Sequence, residues 1–338
     1  MKRLIFISLF LIIGKVLHAQ DPQFTQFYAS PITLNPGFAG NTEQHRISGN
    51  YRNQWAAVPT VYRTFSFAYD YSMPEINSGV ALMVLSDKAG SGGLYYTNIN
   101  FSYSYHIQLN RKYFIRPGIR FGYVMRGIDV SQLIFPDQNV RGTQFSPSQN
   151  LIVQNTQYID IASGMVFSDS KKFWAGISIN HLNQPVDGLR LNSESKMPAE
   201  FSFHGGYNYI LKTEKGKVKT KLTAATQYKA QKQWDQWDIG FYFNHEPVIV
   251  GFWYRGIPLL KAYEKGYPNN DAFAVLVAYS ANNFRIGYSY DITISKLTNN
   301  FRSGSGGSHE IAIIYEWADP NRKKVRNRKK FLVPCAKF

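Results

Sequence analysis

Residues 95–109 read YYTNINFSYSYHIQL, and their alternation decides the fold. One set is Tyr95, Thr97, Ile99, Phe101, Tyr103, Tyr105, Ile107 and Leu109; the other is Tyr96, Asn98, Asn100, Ser102, Ser104, His106 and Gln108. In a strand, successive side chains point to opposite faces, so this segment has one greasy face and one wet face. The next stretch repeats the pattern with charge. Ile115, Pro117, Ile119, Phe121, Tyr123 and Met125 share a side, while Arg116, Gly118, Arg120, Gly122 and Arg126 share the other. Similar alternation recurs from Phe65/Phe67/Tyr69/Tyr71 through Ile311/Ile313/Tyr315/Trp317. The whole chain reads as strands of period two.

Alternation alone also suits a soluble sandwich, so the connections decide. Fourteen strands fit between residues 45 and 317. Tight turns at 73–76, 110–111, 169–171, 214–216, 246–247 and 282 alternate with longer stretches at 127–156, 183–199, 256–271 and 292–307. Short turns at one end, long loops at the other and an even strand count predict an all-β, transmembrane outer-membrane barrel of about 14 antiparallel strands. Both termini are then expected on the short-turn, periplasmic side. No stretch of 18 or more apolar residues follows the N-terminal region, which argues against spanning helices.

Flanking segments complete the organisation. Lys2 and Arg3, the apolar run Leu4–Ile13 and Leu17-His18-Ala19 read as a signal peptide over 1–19. Residues 20–44 form a periplasmic N-terminal segment whose Phe24, Phe27 and Tyr28 are candidates to pack under or inside the barrel. Residues 45–317 are the barrel, and 318–338 a basic periplasmic tail. Of the +16 formal charge, the tail holds eight basic residues against Asp319, so basicity is largely a tail property. The single cysteine, Cys335, excludes an internal disulfide.

A search for chemistry returns little. No metal-binding motif occurs, no cofactor is expected, and His106 and His204 fall on polar faces. Ser163 and His181 are expected on outward faces of neighbouring strands 157–168 and 172–182. With Ser163 opposite Ile177, His181 lies roughly 13 Å away, too far for a hydrolase pair. The Gly-rich run 303–308 lacks the strand-to-helix setting of a phosphate cradle and reads as a loop. Arg116, Arg120, Arg126 and Arg285 either line an anion-selective pore or fill a polar interior. Arg322, Lys323, Lys324, Arg326, Arg328, Lys329 and Lys330, with Cys335, are expected to dock an acidic periplasmic partner rather than nucleic acid, the competing reading being a solvated end. The protein is expected not to be an enzyme.

The segment QDPQFTQFYASPITLNPGFAG, residues 20–40, resembles the opening of the type IX secretion system outer-membrane family PorP/SprF, at Gln20, Asp21, Pro22, Gln26, Asn35, Pro36, Phe38, Ala39 and Gly40. Gln54, Trp55, Pro59 and Thr60, the SDKAG at 86–90, the GISINHLNQP at 176–185, the SGGSHEIAIIYEW at 305–317 and the terminal PCAKF resemble it further along. Gly37 stands where the family often has Ala. The resemblance implies an outer-membrane component of secretion and gliding, with contacts to membrane lipid, secreted surface proteins such as adhesins, and periplasmic secretion-system subunits. From the residues alone, a passive porin or uptake channel is the competing function.

Overall fold

A computed structural model describes residues 21–335, except 59, 61, 130–132, 134–154, 170, 191–192, 215–216, 265–266, 296–304 and 321–331. Its strands are β1 (His45–Gln54), β2 (Tyr62–Met73), β3 (Ser78–Ala89), β4 (Leu94–Tyr105), β5 (Ile107–Gln108), β6 (Tyr113–Ile128), β7 (Thr156–Asp169) and β8 (Phe173–Asn180). They continue with β9 (Glu200–Glu214), β10 (Lys217–Gln231), β11 (Trp234–His245), β12 (Val248–Glu264), β13 (Tyr267–Ala281), β14 (Phe284–Thr293) and β15 (Ser308–Trp317). Every pairing is antiparallel between neighbours. β1 joins β15, with His45 opposite Trp317, and β4 joins β6, closing the ring.

β4 and β5 are one wall strand with a break. Both pair with β6 in a single register, Ser104 opposite Gly118 and Ile107 opposite Ile115. That register sets Pro117 against the break, and proline has no N–H to give the ladder. On its other side the His106 N–H still bonds Asn77 O, carrying the β3 ladder one residue past the break. The wall therefore has fourteen strands, as the alternation predicts.

The burial pattern is the reverse of a soluble core. On β4, Asn100, Ser102 and Ser104 are buried while Phe101 and Tyr103 are exposed. Phe65, Phe121, Phe241, Phe273 and Tyr315 also stand on the outer surface. Apolar residues facing outward around a closed ring have one suitable solvent, hydrocarbon. No helix among the described residues is long and apolar enough to cross a membrane.

The connections segregate less evenly than expected. At one end all turns are short, at 74–77, 109–112, 170–172, 215–216, 246–247 and 282–283. The other end carries the long stretches 129–155, 181–199 and 294–307, but also the tight 90–93 and 232–233. The stretch 256–271, expected as a loop, is mostly ladder. β12 and β13 go on pairing through register shifts at Arg255/Gly256 and beyond, with Gly256 at φ 146°. Main-chain pairing does not require the apolar side chains whose alternation had marked the strand's end.

One register also needs correcting. Ser163 stands opposite Ile179, not Ile177, and β8 stops at Asn180. His181 then turns inward at φ 55° and is buried, so it does not face lipid as expected. Ser163 is on the outer face and donates to Gly118 O, so the two side chains lie on opposite sides of the wall.

Candidate functional site: a strap through the lumen

Residues 21–44 do not stand apart from the barrel. They thread it from the loop end to the turn end, and the change at 44/45 is only a change from strap to wall. The strap contains one short helix, Pro31–Leu34, and a 3-10 turn, Pro36–Phe38, each begun by a proline whose fixed φ suits a helix start. Phe24 and Ile32 pack on Ala68, Ala81, Met83 and Leu85. Phe27, Tyr28, Leu34 and Phe38 pack with Val166, Trp174, Tyr242, Trp253 and Leu276 across the lumen. Phe27 meets Trp253 edge-on at 4.9 Å between ring centroids, and Tyr28 meets Trp174 at 5.7 Å. The barrel thus has a true apolar core, and the strap supplies 8 of the 25 residues in its two buried clusters.

At the loop end the strap is held by charge. Glu310 of β15 accepts from the Thr25 N–H (2.7 Å) and the Gln26 N–H (2.8 Å), and the Thr25 hydroxyl donates to Asp291 of β14 (2.6 Å). Arg52 bridges Asp291 (2.8 Å) and Glu310 (3.2 Å), and Arg255 bridges Asp238 (3.1 Å) and Asp291 (3.4 Å). Both guanidinium groups also donate to the Thr25 oxygen. Three buried carboxylates, with the more exposed Asp271 3.9 Å from Arg255, outnumber the two guanidinium groups, and the strap's two N–H groups add donors to Glu310. A buried ion cluster is tolerable only when its lone pairs are largely hydrogen-bonded, and here the strap supplies three of those bonds, two to Glu310 and one to Asp291. Nearby, His181 joins Asp21 of the strap to Asp160 of β7, both at 2.8 Å. Burial disfavours the charged His181 ring, but the Asp21 carboxylate, with the hydrogen bonds the ring donates to Asp160 and Asp21, raises it to about 10.

At mid-lumen the strap is fixed by Asn35. Its Oδ1 accepts from the Gly37 N–H (2.8 Å), capping the 3-10 turn, while Nδ2 reaches Ile177 O (2.8 Å), Met165 O (3.3 Å) and His204 Nε2 (3.1 Å). One side chain therefore binds strap to strands β7, β8 and β9. The wall opposite is cut away to admit it. A Cβ on Gly164 would lie 2.3 Å from Asn35 Oδ1, and one on Gly118 would lie 2.5 Å from Gly37 N and from Pro36 C.

Toward the turn end, contact becomes closer still. Gly40 has φ 64°, and a Cβ there would meet Tyr71 O and Gly79 Cα, both at 2.6 Å. Its N–H donates to Asp70, itself paired to Arg46, and Ala39 O accepts from Ser104 and Arg116, each at 2.7 Å. The C-terminal segment is clasped there as well. Val333 N–H donates to Asn41 Oδ1 (2.8 Å), and Asn208 Nδ2 donates to Pro334 O (2.7 Å). Cys335 is buried against this junction, 3.5 Å from Asn41 Nδ2.

Most of the signature segment thus lands in one site. Asp21, Asn35, Pro36 and Gly40 anchor or shape the strap, and Pro22 is half-buried beside Asp21; Gln20 lies outside the described residues. So do Arg322, Lys323, Lys324, Arg326, Arg328, Lys329 and Lys330, whereas Cys335 lies inside the barrel mouth. The four lumen arginines do not form an open cationic row. Arg116 is on Ala39 O, Arg120 on Asn180, Arg126 on Asp187 and Arg285 on Glu316. His204, bonded to Asn35 and 5.2 Å from the Phe38 ring, belongs to the site. Sequence reasoning missed Thr25, Arg52, Arg255, Asp291 and Glu310. For the four charged ones a signal was present, as charged residues on wet faces near the loop ends of strands. Among the described residues no group of His, Cys, Asp and Glu is arranged to hold a metal.

A family model described as type IX secretion system membrane protein PorP/SprF matches residues 16–315. Among solved structures, the chain is similar to the Ralstonia pickettii toluene transporter TbuX, with TM-score 0.51 and 10% identity over 86% of this chain and 94% of that one. It is also similar to the P. putida toluene transporter TodX, with TM-score 0.47 and 9% identity over 84% and 93%. At such identity the first likeness carries the barrel fold alone. No curated protein matches the chain.

Proposed function

The chain belongs to the PorP/SprF family of type IX secretion system membrane proteins, and we propose that it acts in the outer membrane as a holding platform for secreted surface proteins such as adhesins. In this reading the long loops face outward and meet the cargo, after a signal peptide over 1–19 has directed export. The short turns face the periplasm, where the basic tail meets secretion-system subunits. The platform does no covalent chemistry of its own, and its work in gliding follows from what it holds.

The observation that supports a platform over a passive porin is the strap. A porin needs a water-filled path, and here the middle of the lumen is packed with Phe27, Tyr28, Leu34 and Phe38 against Trp174, Tyr242 and Trp253. Association driven by loops and tail needs a rigid scaffold more than an open channel. The test is purification of the tagged protein from its native envelope in mild detergent, with co-purifying proteins identified by mass spectrometry. Recovery of secretion-system subunits or a large surface adhesin is expected. Recovery of the barrel alone after cross-linking, with steady single-channel conductance in planar bilayers, would overturn the platform.

A further inference from the structure

The rim at the turn end is electrically lopsided. Arg111 and Lys112 sit on the turn between β5 and β6, and Lys171 and Lys172 on the turn between β7 and β8; all four are exposed. These turns are neighbours, since β6 and β7 pair with Tyr113 opposite Asp169. The nearby acid is occupied locally: Asp169 Oδ1 accepts from the backbone N–H groups of Lys171, Lys172 and Phe173. At the next turn, Lys212 and Lys219 share Glu214 at 2.7 and 2.8 Å. On the other flank Glu75 is exposed on the turn between β2 and β3; the far arc of the rim exposes Glu246 and Asp319, and its Arg285 is half-buried on Glu316.

Directly on the membrane side of the four cations, three rings form a cluster on the outer wall. Tyr113 and Phe167 lie 5.6 Å apart, Phe167 and Phe173 5.4 Å, and Tyr113 and Phe173 6.3 Å. Lys112 Nζ lies 5.0 Å from the centre of the Tyr113 ring, tying the charged layer to the aromatic one.

We propose that Arg111, Lys112, Lys171 and Lys172, with Tyr113, Phe167 and Phe173, form a binding site for an anionic phospholipid. The phosphate lies among the cations and an acyl chain runs along the rings. Cations at a membrane surface attract anionic headgroups, and amphipathic rings settle at the headgroup level. An acidic protein in water would use the cations but have no use for rings that face hydrocarbon. An ordinary interfacial girdle would place cations all round the rim, whereas here, among the described residues, they crowd one arc. The site rests on the outer-membrane reading and would orient the barrel by gripping lipid on one side.

The experiment uses the full-length protein in neutral detergent, with bound lipid read by native mass spectrometry. Phosphatidylglycerol is the probe and phosphatidylcholine the comparison. The intact chain is expected to retain phosphatidylglycerol about tenfold better. The combined variant Arg111→Gln, Lys112→Gln, Lys171→Gln, Lys172→Gln is expected to lose that preference, while Lys212→Gln with Lys219→Gln keeps it. Phe167→Leu with Phe173→Leu is expected to weaken retention of both lipids. Should the fourfold variant not fold, as read by heat-modifiable gel mobility, the pairs Arg111→Gln/Lys112→Gln and Lys171→Gln/Lys172→Gln are each expected to lose part of the preference. Equal retention of the two lipids by the intact chain would overturn the site, as would an unchanged preference in the folded variants. Capture of a polyglutamate peptide without phosphatidylglycerol retention would also overturn it, in favour of an acidic partner. Recovery of secretion partners from the envelope is a separate readout, so failure here leaves the platform reading to stand or fall by itself.

Discussion

The two mouths of the barrel hold the same strap by different chemistry. At the loop end, Thr25 and Gln26 are held by carboxylates and guanidinium groups across gaps that side chains fill. At the turn end Asp70 and Arg116 also bond the strap, but there Gly40 and Gly79 add backbone against backbone, and the chain runs on into β1. Ionic contacts are strong while buried but can be re-formed with water when they part. Close backbone packing has no such substitute, and a tethered end cannot diffuse away. The comparison makes the loop end the releasable clasp and the turn end the hinge.

The harshest way to break the loop-end clasp is Glu310→Ala. It removes the acceptor of two strap N–H groups and one partner of buried Arg52, at a cost of about 3 kcal/mol. Heat-modifiable mobility and thermal unfolding in detergent would measure it, and hydrogen exchange should localise the loss to residues 25–26. An unchanged exchange pattern would mean that the ion cluster serves the wall and not the strap. Gly40→Ala attacks the other mouth. It combines a positive φ with a Cβ 2.6 Å from the Tyr71 carbonyl, at a cost of roughly 2 kcal/mol. Here exchange should rise at residues 39–41 and at Val333, which bonds Asn41. Asn35→Ala, between the mouths, strips the Gly37 N–H and the Ile177 carbonyl of their partner. It should cost about 1.5 kcal/mol and loosen both halves of the strap equally.

These residues also show what a single sequence discloses. Wall strands were legible because each position of YYTNINFSYSYHIQL has only two environments, lipid and lumen, and period two reports which. Strand ends were less legible, as β8 and β12 show, because pairing outlasts the apolar pattern or stops before it. The strap was legible as a resemblance and as three aromatic candidates for packing, Phe24, Phe27 and Tyr28, but not in its contacts. Nothing in the spacing of Asn35, Pro36 and Gly40 says that they meet Gly164, Gly118 and Gly79, which lie 39 or more residues away along the chain. Such contacts depend on which strand of a closed ring faces which part of an irregular segment. The ion cluster was hidden for the same reason: Arg52, Asp291 and Glu310 are far apart in the chain and adjacent only because β1, β14 and β15 are neighbours.

The smallest effect sharpens the comparison most, because it separates the mouths by pH alone. His181 lies just past β8 and holds the strap's Asp21, and its charged form is favoured up to about 10 against an ordinary value of 6.5. A raised folded value means that this contribution is complete below pH 6.5 and fades as pH climbs through 10. Asp21 moves the other way. Burial opposes its charge, but His181 outweighs that and lowers it to about 2, so its share is lost only as pH falls below the ordinary 3.8 toward 2. The contact is therefore intact between about pH 4 and 6.5 and weakens in alkali by on the order of 1 kcal/mol, the worth of one charge-assisted hydrogen bond. Exchange at residues 21–26, corrected for the intrinsic effect of pH, should rise between pH 7 and 10 while residues 39–41 stay protected. His181→Gln should abolish the pH step and leave the strap's loop end as open at pH 6 as the intact chain is at pH 10. A step of equal size at both mouths would mean that the strap moves as one rigid body, and the distinction between clasp and hinge would fall.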